Sequence, residues 1–86
     1  MTNIEAARYV MEHGCVLMRA RVDEPGQYDV KELAHAGNKH GWFYMDQQTA
    51  HLLVTVYNVL RPENQLIFER TPIMRLVEWS WKQVSA

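Results

Sequence analysis

Residues 15–33 read CVLMRARVDEPGQYDVKEL, and the reading of this stretch decides the fold. Val16, Met18, Ala20 and Val22 are apolar at every second position, with Arg19 and Arg21 between them, which is the alternation of a half-buried strand over residues 15–22. Asp23-Glu24-Pro25-Gly26 follows. Proline presets φ near −65° and glycine tolerates a positive φ in the following position of a type II turn, so the stretch is a turn and the chain reverses. Tyr28 onward admits two readings. Asp29-x-x-Glu32 with Gly37 beyond it would bracket a two-turn helix over residues 28–36 carrying Val30, Leu33 and Ala34, whereas the turn before it invites a partner strand. We take Tyr28 to Leu33 as the strand.

Downstream, Gly37-Asn38-Lys39-His40-Gly41 is a second turn cluster, and Trp42-Phe43-Tyr44-Met45 is a short run of strong strand formers. Three strands make a small antiparallel β-meander, about the minimum for a sheet that is stable by itself. Asp46 is placed to cap a helix that runs to Leu60 and stops around Arg61-Pro62. On it Gln47, Gln48, His51, Thr55 and Asn58 share one narrow face. Ala50, Leu52, Leu53, Val56, Tyr57, Val59 and Leu60 sweep most of the remainder, so the helix needs covering on nearly two sides. Pro62 suits the first turn of a short helix through Phe68, and Thr71-Pro72 repeats the N-cap and N1 pattern for a last helix to about Val84. There Ile73, Leu76, Val77, Trp81 and Val84 form the core stripe, with Arg75, Glu78 and Lys82 outside.

Upstream, Thr2-Asn3-Ile4-Glu5 has the form of a capping box, so a helix begins there. Ile4, Ala7, Val10 and Met11 fall on one stripe, and Gly14 is placed to take the left-handed position after the helix end. The expected fold class is α+β: an N-terminal helix, a small antiparallel β-meander and three C-terminal helices packed on one face of the sheet, in a single domain spanning 1–86.

Composition narrows the function classes. The apolar share of 48% with 22% charged residues is ordinary globular usage, against a disordered chain or a coiled-coil rod. A formal charge of −1 leaves no basic excess to attract nucleic acid or anionic lipid. The single cysteine closes no internal disulfide, and the N-terminal residues lack the basic and apolar regions of a signal peptide, from which we expect a cytoplasmic protein. The apolar run from Leu52 to Leu60 is broken by Thr55 and Asn58 and falls far short of the roughly 20 residues that span a bilayer.

Four histidines and Cys15 raise a metal reading, with His13, Cys15, His35 and His40 nearest in sequence. Their spacing supplies only half of a zinc pattern, so we expect neither metal nor other cofactor. Cys15 beside a histidine also lacks the orienting group and oxyanion hole of a nucleophile site. No phosphate-binding, dinucleotide-binding or nucleophile-elbow motif is present, and we read the chain as a non-enzyme with no catalytic residues.

Three groups of side chains remain as candidates for partner binding. Glu63 to Lys82 has the outline of helix, turn, helix, with Arg75 and Lys82 offered to a groove. Glu78 sits between them, however, and the same spacing gives a plain solvated face with an i,i+4 pair. Arg19 and Arg21 point to one face of the sheet, where Trp42 and Tyr44 join them if the registers agree. Such a face either stacks on a partner or is covered by a helix as core. Trp79 projects away from the core stripe, among Arg75, Lys82 and Gln83. It is either packed over the neighbouring Pro62 to Phe68 segment or a binding hot spot.

Gly41-Trp42-Phe43-Tyr44-Met45-Asp46, followed by Thr49-Ala50, Val56-Tyr57, Leu60, Pro62-Glu63-Asn64, Phe68, Pro72, Arg75 and Trp81-Lys82, resembles a pattern in small uncharacterised phage and prophage proteins. The resemblance spans Gly41 to Lys82 and is a helical packing pattern without a catalytic signature. It implies a phage accessory protein acting in the host cytoplasm, a class that includes inhibitors of bacterial defence systems such as anti-CRISPR proteins. It assigns no site residues. The functional expectation is a non-enzymatic protein-binding module that occludes a larger bacterial machine, with a small nucleic-acid-binding regulator as the alternative. The broad apolar sweep of the Asp46 to Leu60 helix adds an expected homodimer.

Overall fold

The computed structural model describes residues 1–33 and 40–85. Its elements are α1 (Asn3–His13), β1 (Val16–Ala20), β2 (Tyr28–Glu32), β3 (Phe43–Met45), α2 (Gln47–Val59), α3 (Pro62–Arg70) and α4 (Ile73–Ser85). The architecture is α+β, with an N-terminal helix, a three-stranded antiparallel sheet and three C-terminal helices.

The β1–β2 connection forms as its sequence dictates. Gln27 N–H donates to the Glu24 carbonyl at 3.1 Å, and Gly26 after Pro25 takes a φ of +87°. Tyr28 to Glu32 is strand, paired with β1 from Ala20↔Tyr28 to Val16↔Glu32. The first strand is shorter than its alternation indicates. Arg21 N–H donates to Gln27 O as the chain enters the turn, so Val22 belongs to the loop and is 99% exposed. Ala20 is exposed as well.

The strand order is β2-β1-β3, which is not a sequential meander, since β1 and not β2 lies in the middle. Burial gives the reason. Val16, Leu17 and Met18 are all buried, Val16 and Met18 in the core and Leu17 on the opposite face, so β1 is covered on both faces here, as a central strand is. β2 carries Asp29, Lys31 and Glu32, charges that suit an edge. Of the connecting turn cluster, Gly37, Asn38 and Lys39 lie outside the described residues; Gly41 has a φ of +80°.

Registers sort the side chains. Val16, Met18, Tyr28 and Met45 join the core with Ile4, Ala6, Ala7 and Val10 of α1, Ala50 and Leu53 of α2, Phe68 of α3, and Ile73 and Leu76 of α4. The capping box at Thr2 is formed, with Glu5 N–H donating to Thr2 Oγ1 at 3.2 Å and Thr2 N–H to Glu5 Oε1 at 2.8 Å. The fully buried Ala6 and Ala7 allow α1 to pack closely on α2. Gly14 has a φ of +91° with a ψ of −170°, so its conformation after the helix is extended and not the left-handed helical one; its N–H still closes the end on Val10 O. Met11, expected on the core stripe, is exposed.

Asp46 caps α2, accepting from Thr49 N–H at 2.7 Å, and this bond holds its carboxyl below the ordinary aspartate value of 3.8. A lowered folded pKa contributes stability that is complete at neutral pH and is lost as pH falls through that value. Asp46→Ala should therefore cost about 1 kcal/mol at pH 7 and less at pH 2, where the neutral carboxyl accepts the bond more weakly. Asp46→Asn, which still accepts the bond, should keep the cap at both; paired denaturant titrations check this. The apolar sweep of α2 is largely covered within the chain, with Leu52, Val54, Val56 and Tyr57 half-buried and Val59 left 79% exposed. Its width thus no longer calls for a second copy.

α3 begins at Pro62 and continues to Arg70, past the expected end at Phe68. Thr71 does not cap α4. Its hydroxyl turns back and donates to Ile67 O at 2.7 Å, and the first N–H of α4, on Ile73, donates instead to the buried Tyr28 hydroxyl at 2.9 Å. The core stripe of α4 is Ile73, Leu76, Val77 and Ser80, whereas Trp81 lies at its margin and is 37% exposed. The side chain of Val84 lies outside the described residues.

Ser80 falls four residues after Leu76 and three after Val77, on the line that packing fills, and its buried Oγ has no hydrogen-bond partner. An unpaired buried hydroxyl is costly. Ser80→Ala should raise stability by about 1 kcal/mol, read as an upward shift in the thermal midpoint. Among the described residues no helix is long and apolar enough to cross a membrane.

Candidate functional site

Helices α3 and α4 meet at Thr71-Pro72, and their backbones make few close approaches. Between them opens a groove of about 460 Å³. Leu60 closes one end from the tail of α2. Ile67 and Phe68 form one wall, Leu76 and Trp79 the other, with Asn64, Thr71 and Arg75 completing the lining. Phe68 and Leu76 are the buried floor, whereas Ile67 is 63% and Trp79 41% exposed.

The corner is held from outside. Asn3, at the start of α1, donates from Nδ2 to Phe68 O at 2.8 Å and to Thr71 O at 2.9 Å. With the Ile73 bond to Tyr28, these contacts fix where α3 stops and α4 starts, and hence the angle of the groove.

Arg75 is the one charged residue of the lining. Among the described residues no carboxylate lies within ion-pair distance of it. Glu69 accepts from the Tyr57 hydroxyl at 2.9 Å, a bond that raises the tyrosine pKa, and Glu78 lies 3.4 Å from Lys82. The groove is therefore apolar with an uncompensated cation on its rim.

Of the residues singled out from sequence, Trp79 and Arg75 come together here. Lys82 does not join them; it forms the i,i+4 pair with Glu78 on a solvated part of α4. Trp79 lines the groove shared with α3 and is 41% exposed, so it is neither fully packed nor fully free. Sequence reasoning missed Leu60, Ile67, Phe68 and Leu76 as members of the site. Ile67 and Phe68 were already within the expected short helix, but nothing in the sequence showed which of its faces meets α4.

The Arg19/Arg21 face is assembled as the register required. Trp42 follows on from the pairing Met18↔Phe43 and so lies beside Arg19, while Leu17 sits between Lys31 and Tyr44. The Arg19 guanidinium is 4.5 Å, and the Lys31 ammonium 4.2 Å, from the Trp42 ring centre. An indole that reaches Lys31 lies across β1, which accounts for Leu17 being 4% exposed outside the helix-covered core. Arg19 pairs with Asp29 at 3.1 Å, and Arg21 with Asp23 at 2.8 Å and with Asp29 at 3.9 Å. Tyr44 stands exposed next to Cys15, whose proximity raises the phenol pKa. This face is saturated by its own charges.

A second hollow, about 450 Å³, lies between the β1–β2 turn and the end of α3 and is lined by Thr2, Pro25, Gly26, Gln27, Glu69 and Arg70, without an apolar anchor. Among the described residues no three His, Cys, Asp or Glu side chains gather into a metal site; His35 lies outside them. Compared with protein-family models, curated proteins and solved structures, the chain matches none.

Proposed function

We propose that this chain is a non-enzymatic protein-binding module that docks its partner in the α3–α4 groove. The supporting observation is an apolar trough with an exposed tryptophan on its wall. Ile67 and Trp79, both exposed, line the trough from α3 and α4, above the buried Phe68 and Leu76. In its finer form the partner is a bacterial defence complex that a small phage-encoded inhibitor occludes. The nucleic-acid alternative draws less support, because Arg19, Arg21 and Lys82 are each engaged by a carboxylate and Arg75 faces the groove.

Affinity capture from host lysate tests the reading. The wild type should retain a defined host protein, Ile67→Asp should lose it, and Val22→Asp, at the exposed hairpin, should keep it. Equal retention by all three, or salt-sensitive retention of nucleic acid alone, would overturn the proposal.

A further inference from the structure

Resting on that reading, we propose that the segment received by the groove is an amphipathic α-helix bearing an Asp or Glu about one turn from its apolar anchor, with the carboxylate set against Arg75. Two observations select this occupant. The first is the state of the backbone along the groove. Its walls are helices whose N–H and C=O groups are internally paired, and the corner is used up as well: Thr71 N–H donates to Phe68 O, Thr71 O accepts from Asn3, and Ile67 O accepts from the Thr71 hydroxyl. An extended strand would find no main-chain partners here. A helix brings its own hydrogen bonds and needs only side-chain complementarity.

The second observation is charge. Arg75 stands at the rim of an apolar trough, with Glu69 bound to Tyr57 and Glu78 to Lys82. Desolvating that guanidinium under an uncharged partner would be unfavourable, and a carboxylate placed against it offsets the loss. The same charge disfavours a second copy seated groove to groove, because a twofold contact brings two Arg75 side chains together and the lining has no carboxylate to separate them.

The test uses a displayed library of 18-residue helical peptides randomised at positions i, i+3, i+4 and i+7, panned against the full chain. Enriched peptides should pair a Leu or aromatic anchor with an acidic residue three or four positions away. Their binding should fall at least tenfold on Trp79→Ala and on Arg75→Glu, and repanning against Arg75→Glu should select Lys or Arg at the acidic position. Arg75→Gln serves as the second variant, with thermal melts to show that each is folded. Groove binders that are lost on Trp79→Ala yet lack an acidic preference and ignore Arg75→Glu would overturn this inference and leave the docking function standing. Enrichment of no peptide would overturn it too, and the host-capture experiment judges the docking function independently. Concentration-dependent dimers abolished by Ile67→Asp would replace the foreign helix with a second copy.

Discussion

Asn3→Ala should destabilise the chain by about 3 kcal/mol, a fall of roughly 15 °C in the thermal midpoint. Asn3 is 1% exposed, and its amide nitrogen donates to two carbonyls more than sixty residues away, Phe68 O and Thr71 O. Removing it deletes one buried and one partly buried hydrogen bond and leaves the Thr71 carbonyl without this donor. Its own Oδ1 has no partner, which limits the net contribution of the residue and keeps the expected cost below what two perfect bonds and a full side chain would give.

Asn3→Asp is the sharper variant. It preserves shape but turns an oxygen toward both carbonyls, and a buried carboxylate there has its folded pKa raised above the unfolded one. Stability is then present at low pH and lost as pH rises, so Asn3→Asp should be more stable at pH 4 than at pH 7, opposite to the behaviour expected of the Asp46 cap. Denaturant titrations at the two pH values give the answer. If Asn3→Asp instead matched the wild type at pH 7, the amide would not be what ties α1 to the α3–α4 corner.

Trp79→Ala should weaken partner binding by about 2 kcal/mol or more, near thirtyfold in Kd, while costing only about 1 kcal/mol of stability. The split follows from its position. The indole is 41% exposed and forms a groove wall, so a large part of its surface is free to be covered by a partner and the rest packs within the chain. A calorimetric or surface-capture titration beside a thermal melt separates the two quantities. A fall in stability as large as that for Asn3→Ala, with unchanged affinity in the folded fraction, would make Trp79 a packing residue and remove it from the site.

Much of the architecture could be read from local chemistry. The Thr2 capping box, the Pro25-Gly26 turn and the Asp46 cap each depend on residues within a few positions of one another, and each is formed. What could not be read depends on distant partners. Thr71 has the form of an N-cap, but its hydroxyl finds Ile67 O, and Tyr28 supplies the acceptor that α4 needs from 45 positions away. Strand order was hidden for the same reason. A hairpin turn dictates that β1 and β2 pair, while the place of β3 follows from burial on both faces of β1, which includes Leu17 beneath Trp42.

The candidate site was legible in pieces. Trp79 and Arg75 stood out as an aromatic and a cation off the core stripe, but the wall facing them comes from α3, and no periodicity within α4 indicates how far α3 diverges from it. Trp81 shows the opposite error. Its spacing from Ile73 and Val77 suits a core position, yet Ser80 takes the buried line and moves Trp81 to the margin.

The most direct measurement of the docking function is site-specific photo-crosslinking in the native host, with a benzophenone amino acid placed at Ile67 in one version of the chain and at Val22 in another. Both positions are exposed, and they belong to different parts of the fold. The groove account requires one discrete host protein crosslinked from position 67, diminished by Trp79→Ala, and no corresponding product from position 22. The same product from both positions, or a product from position 22 alone, would contradict it.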